Sequence, residues 1–205
     1  MELNKALSEL RNQKERKFDQ TFDLIVNLKG IDFRKSNLSF IVSVPNKFKE
    51  KTVCAFLPEK SDLVPTITKQ EFAKHKDKLA LKNFVKKYDF FMAHASLMPS
   101  VASSYGRVLG PAGKMPSPQL GVIMKDSDEE IKDTLVKISK SAKIRVKEAS
   151  IKIGVGKTSM TDENVIGNIK SVYEGILQAL PLKMDNVRNV LVKLTMTKPI
   201  EVQIK

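Results

Sequence analysis

The sequence predicts a two-domain α+β fold in which one domain is discontinuous. Residues 1–50 and 143–205 form an outer domain, and residues 51–142 form an inserted α/β domain. Three observations predict it. Both ends of the chain carry strands that alternate apolar and polar residues, the pattern of a sheet with one wet face. The middle instead carries continuous apolar runs separated by helical segments, the pattern of a parallel sheet buried on both faces. Neither end has enough strands to close a core alone, so the two ends must pack together.

Each element follows from local pattern. Leu3, Ala6, Leu7 and Leu10 recur at helical spacing and predict a helix over 3–16. Phe22, Leu24, Val26 and Leu28 alternate with Asp23, Ile25, Asn27 and Lys29 and predict a half-buried strand. Residues 30–37 read as a turn, after which Leu38, Phe40, Val42 and Val44 predict a second alternating strand ended by Pro45 and Asn46. Residues 52–57 and 90–95 are the continuous apolar runs. Between them, Thr68 and Glu71 are spaced as a capping box and predict a helix running to about Lys87. Helices are also predicted over 97–109 and 128–140, the latter opened by Asp128, Glu129 and Glu130 at its positive end. Ile144 and Val146, followed by Ile151, Ile153 and Val155, suggest a hairpin. Thr161 opens a long helix whose Val165, Ile169, Val172, Ile176 and Leu180 share a face. Strands over 187–196 and 200–204 complete the pattern.

Composition narrows the function. Over 205 residues, 36 Lys and Arg face 23 Asp and Glu, for a formal net charge of +13. Such a surplus favours polyanionic partners, because each neutralised phosphate releases condensed counterions. Aromatic residues are 6% and Trp is absent, which disfavours a base-stacking platform for single strands. A reader of folded nucleic-acid shape is expected instead. One cysteine, Cys54, excludes an intrachain disulfide and any multi-cysteine metal site, and points to a reducing compartment. No apolar run approaches the length of a membrane span, and the first residues do not form a secretory signal.

Catalytic and cofactor patterns fail one by one. Gly113 and Lys114 start like the end of a phosphate-binding loop, but Met115 follows and Val108 stands where glycine is required. Gly154 and Gly156 before Lys157 lack the third glycine of a dinucleotide fingerprint. His75 is expected on a solvated helix and His94 as a satisfied core residue. Cys54 is expected in core packing. Asp126, Asp128, Glu129 and Glu130 read as a solvated helix start. No catalytic residue, metal or cofactor is therefore expected. Residues 105–122 are dense in Gly and Pro and predict a defined loop. Either it is a structural crossover, or it approaches RNA with Arg107 and Lys114 as weaker phosphate contacts. An α/β enzyme acting on a phosphorylated ligand, and a DNA-binding protein, are the rival classes.

The segment LGPAGKMPSP, at 109–118, resembles the signature of the ribosomal protein L-one family. The resemblance extends over essentially the whole chain. Its other carriers are KFDQTF at 17–22, DFRKS at 32–36, IKIGVGK at 151–157 and LTM at 194–196. The compact loops and the short N-terminus look archaeal or eukaryotic in type. The resemblance sharpens the expected fold to a discontinuous split β-α-β sandwich with an inserted Rossmann-like three-layer α/β/α domain. It implies a cytoplasmic protein of the large ribosomal subunit, monomeric when free. The implied partners are folded large-subunit rRNA at the mobile stalk, exit-site tRNA whose release it assists, and its own mRNA, whose translation it represses. No membrane partner and no cofactor are implied. Carried over by position, the RNA-binding set is Lys17, Phe18, Gln20, Thr21, Arg34, Lys35, Lys152, Lys157, Thr195, Met196 and Thr197. Lys and Arg would meet phosphates, Thr21 and Thr195 ribose hydroxyls, and Phe18 and Met196 apolar sugar or base faces. The chain departs from the family at Thr197, where glycine is usual, and at Ala112, where arginine is frequent.

Overall fold

A computed structural model describes residues 1–13, 16–31, 38–75, 78–124, 127–146 and 148–204, with the backbone alone described at 73–75 and 78. In chain order the elements are α1 (Leu3–Arg11), β1 (Thr21–Leu28), β2 (Ser39–Ser43), β3 (Val53–Phe56), β4 (Thr66–Ile67), α2 (Lys78–Lys87) and β5 (Phe90–His94). They continue with α3 (Met98–Ala112), β6 (Val122–Ile123), α4 (Asp128–Ser139), β7 (Ser141–Arg145), β8 (Ser150–Lys157), α5 (Asp162–Ala179), β9 (Val187–Leu194) and β10 (Ile200–Val202). They form two compact units, Met1–Lys49 with Lys140–Lys205, and Glu50–Ser139.

In the first unit an antiparallel sheet runs in the order β10-β9-β1-β8. Strict alternation in β1 buries Phe22, Leu24, Val26 and Leu28 on one face. There they meet Leu7 and Leu10 of α1 and Val165, Ile169, Val172 and Ile176 of α5 in a single core. Asn168 lies on the same buried face of α5. It donates through Nδ2 to Asn46 O and Val155 O, at 2.9 and 2.7 Å, and accepts from Asn46 N at 2.8 Å. The expected hairpin over 144–155 does not form. β7 pairs with β2 in a separate two-stranded sheet, while β8 pairs with β1. Flanking bonds explain the split: Val146 N donates to Leu38 O and Leu28 N donates to Ala149 O, so each strand is extended by a different partner. The first helix stops at Arg11, earlier than its spacing predicts. The Arg11 guanidinium turns back over the Phe22 ring and donates to Thr158 O and Met160 O.

The second unit carries a parallel sheet ordered β4-β3-β5-β6. Its side chains alternate into two separate cores. Cys54, Phe56, Phe91 and Ala93 meet α2 and α3, while Val53, Ala55, Met92 and Ile123 meet α4. Helices therefore cover both faces. Half of the capping box is seen, Thr68 N donating to the Glu71 carboxylate at 3.2 Å while Glu71 N donates to Thr68 O, but a 3-10 turn over Lys69–His75 follows it and the α-helix begins only at Lys78. The Gly/Pro segment is half helical, against expectation: α3 continues through Gly106, Gly110 and Pro111. Tyr105 and Leu109 are fully buried, and their packing overrides the local cost of glycine. Gly113 then ends the helix with φ 71°, which only glycine adopts freely. His94 is half-buried at the end of β5, not in the core; its Nδ1 lies 2.6 Å from Ser96 Oγ and its Nε2 3.0 Å from Met124 O. The His75 side chain and Asp126 lie outside the described residues.

Cys54 packs in this unit as expected. Burial pushes its thiol up to about 12, and burial likewise pushes the Tyr105 phenol up to about 12. Both groups hold their protons more tightly folded than unfolded. Their contribution to stability is complete below about pH 9, the ordinary thiol value, and is lost as pH rises from 9 towards 12. The melting temperature should therefore stay level from pH 6 to 8.5 and fall above 9, less steeply in a Cys54→Ala variant. An equal fall in both proteins would remove Cys54 from the account.

Candidate nucleic-acid interface

β1 runs antiparallel to both neighbours, so its first residues meet the last residues of β8 and β9. Thr21 pairs with Lys157, and Phe22 with Leu194. This register collects segments far apart in sequence at one end of the sheet. Thr21 N donates to Thr195 Oγ1 at 3.1 Å, and Met196 N donates to Gln20 Oε1 at 3.2 Å. Gln20 is buried, and its backbone is clasped on the other side: Thr158 N donates to Gln20 O and Gln20 N to Thr158 Oγ1. Thr197 closes the turn after β9, its Oγ1 accepting from Leu194 N at 2.9 Å and its N–H donating to Leu194 O. Lys193 Nζ donates to Thr195 O.

Asp19 ties down the loop before β1. Its carboxylate accepts from Thr158 Oγ1 at 2.7 Å, Ser159 Oγ at 2.9 Å and Ser159 N at 3.1 Å, and Lys157 Nζ lies 3.6 Å away. These hydrogen bonds, led by Thr158, hold its carboxyl below the usual value, with Lys157 adding to the effect. The loop borders an open cavity of about 700 Å³ lined by Arg11, Gln13, Arg16, Lys17 and Phe18 among others. Two large apolar side chains are left in water on this braced frame. Phe18 is 52% exposed and Met196 59% exposed. An isolated exposed apolar residue is unremarkable, but here two stand beside hydrogen-bonded residues and among cations, an arrangement suited to sugar or base faces between phosphates.

The sequence-predicted residues divide accordingly. Lys17, Phe18, Gln20, Thr21, Lys157, Thr195, Met196 and Thr197 gather at this end of the sheet. The Thr195 hydroxyl, expected to face ribose, instead braces Thr21, accepting from its N–H and lying 3.4 Å from its carbonyl. Lys152 stands opposite Ile25, five residues and roughly 16 Å from Lys157 along the strand. Arg107 is exposed on α3 in the second unit. Lys114 Nζ donates to Val85 O at 2.8 Å and Tyr88 O at 2.7 Å, so it closes the end of α2 rather than reaching outward. Arg34 and Lys35 lie outside the described residues. Gly156 serves packing, not phosphate: a Cβ there would stand 2.9 Å from Val165 Cγ2 of α5. Asp19, Arg16, Thr158 and Ser159 also stand in this cluster and were not singled out from the sequence. Asp19 lay inside a motif already singled out, and Thr158 follows directly on Lys157.

Among the described residues no group of His, Cys, Asp and Glu could hold a metal ion, and no helix is long and apolar enough to cross a membrane. The sequence profile of the ribosomal protein L1p/L10e family matches residues 10–198. The large ribosomal subunit protein uL1 of Nanoarchaeum equitans is 33% identical, over 94% of this chain and 95% of its own length. The protein of the same name from Methanococcus voltae is 32% identical over 96% of each, and that from Pyrobaculum islandicum 29% identical over 97% of this chain and 91% of its own. A match spanning both units, at this identity, means that the chain belongs to the ribosomal protein L1p/L10e family.

Proposed function

We propose that the chain grips folded rRNA of the large subunit at its mobile stalk, using the strand-end cluster of the first unit, and does so in the cytoplasm. Membership of the family makes it a structural ribosomal constituent and not an enzyme. The observation that carries the proposal is the pair Phe18 and Met196, both exposed, Phe18 next to the hydrogen-bonded Asp19 and Met196 tied to Gln20, with Lys17 and Lys157 beside them in the chain and register. Hydrogen bonds within the protein already hold the frame together, which favours a partner whose fold is also formed. Two further roles belong to the same reading: assisting release of deacylated tRNA from the exit site, and repressing translation by binding a like fold in its own mRNA. A surface that recognises shape would accept either RNA, provided the same fold is presented. Free of the ribosome the protein is taken to be a monomer.

The reading is tested on ribosomes and on RNA. The protein should remain on large subunits washed at high salt, and crosslinked RNA recovered from cells should map to one folded region of the large-subunit rRNA. Binding of that fragment should weaken with salt along a log–log slope near −5, as about six phosphate contacts require. Washed subunits without the protein, or a flat salt response, would overturn it.

A further inference from the structure

Arg11, the last residue of α1, directs its guanidinium at one turn, the link between β8 and α5. Its Nε donates to the Asp162 carboxylate at 2.5 Å, one terminal nitrogen to Thr158 O at 2.7 Å and the other to Met160 O at 2.5 Å. The guanidinium carbon stands 5.5 Å from the centre of the Phe22 ring, which packs on its flat face. A planar fork seated on a core aromatic and bonded at three points fixes the path of residues 158–162. That same turn holds Asp19. Thr158 Oγ1, Ser159 Oγ and Ser159 N all donate to the Asp19 carboxylate. Asp19 in turn follows directly on Lys17 and the exposed Phe18. A continuous run of contacts thus leads from the end of α1 to the loop that carries Phe18. The Arg11 charge is itself matched by Asp162 and its donors face carbonyls, so it is not presented to a phosphate.

We propose that Arg11 is a positioning residue for RNA binding: it sets the turn over 158–162 and, through Asp19, presents Lys17 and Phe18 to the RNA without touching the RNA itself. The inference deepens the function proposed above and rests on it. It assigns the shape of the gripping surface to a residue outside that surface, in the way that a supporting shell holds a binding group in its productive geometry. Lysine cannot replace it, because an ammonium is a point charge and lacks the fork that reaches two carbonyls and a carboxylate together.

The experiment uses the full-length protein and purified large-subunit rRNA. Arg11→Lys is the main variant, since it keeps the charge and removes the fork. In the free protein, a nuclear magnetic resonance titration should find the Asp19 carboxyl below its ordinary value in wild type and nearer that value in Arg11→Lys, because the bonds from Thr158 and Ser159 are what lower it. Lys157, which faces the same carboxylate, is present in both proteins. Arg11→Lys should also weaken rRNA binding about tenfold with the log–log salt slope unchanged. Ile169→Val, a change in the same core that lowers stability, should bind like wild type. In an Asp19→Ala background, Arg11→Lys should alter affinity by no more than about twofold, because the path is already cut. An Asp19 carboxyl that titrates alike in both proteins overturns the inference, as does a full loss in the Asp19→Ala background or an equal loss in Ile169→Val. A slope reduced by about one in Arg11→Gln would make Arg11 a direct phosphate contact and overturn it as well. Wild-type affinity in Arg11→Lys, with affinity lost in Phe18→Ala, would remove the role of Arg11 and keep the cluster. Wild-type affinity in both Phe18→Ala and Met196→Ala would sink the cluster reading and this inference with it.

Discussion

Asn168→Ala is expected to cost the first unit about 3 kcal/mol. The change strands three backbone groups at once, Val155 O in the core and the partly buried Asn46 N and Asn46 O, each at roughly 1 kcal/mol. The side chain is fully buried, so water cannot take over its bonds without opening the core. The loss is a large share of a typical domain stability of about 5–15 kcal/mol. Urea unfolding followed by circular dichroism should show a clearly lower midpoint with the slope unchanged. A shift worth less than 1 kcal/mol would mean that Asn46 finds other partners. Because Asn168 bonds the loop after β2 to α5 and β8, the variant also tests what joins the N-terminal piece to the C-terminal piece.

Phe18→Ala and Met196→Ala are expected to give the largest functional effect, each weakening rRNA binding by roughly thirtyfold, the scale of an interface hot spot near 2 kcal/mol. Both side chains are more than half exposed, so the thermal melt should not move. Neither carries charge, so the salt slope should not move either, in contrast to Lys17→Gln, which should reduce it by about one. Affinity measured across a salt series separates these cases. Full affinity in the Phe18, Met196 double variant would show that the gripping surface lies elsewhere. Gln20→Leu should copy part of the Met196 effect, because Gln20 Oε1 holds the Met196 amide in place.

Periodicity carried much of the fold. The alternation of Phe22, Leu24, Val26 and Leu28 named the buried face of β1, and the apolar runs at Cys54 and Phe91 named strands covered on both sides. What periodicity cannot name is a partner. β7 and β8 look like a hairpin in sequence, yet each is claimed by a different strand more than a hundred residues away. The same limit governs the site. Lys17, Phe18, Thr21 and Met196 were proposed through the resemblance, but the bonds around them join Gln20 to Met196 and Asp19 to Ser159 across most of the chain. The hydrogen bonds of Lys114 were hidden for a related reason: its acceptors are the carbonyls of Val85, in α2, and Tyr88, just after it, which no local pattern ties to a lysine after α3. Asn168 was invisible because a polar residue on an apolar helix face looks like an interruption until its backbone partners are known.

β1 lies between β8 and β9, and both are encoded after the second unit. During synthesis β1 must therefore wait, with both its edges unpaired, while more than a hundred further residues are added, roughly 10 s at ordinary elongation rates. The second unit is continuous and can condense in that interval. A truncated nascent chain ending before β8 should accordingly be sensitive to protease at its N-terminus and be a client for chaperones that hold unpaired strands.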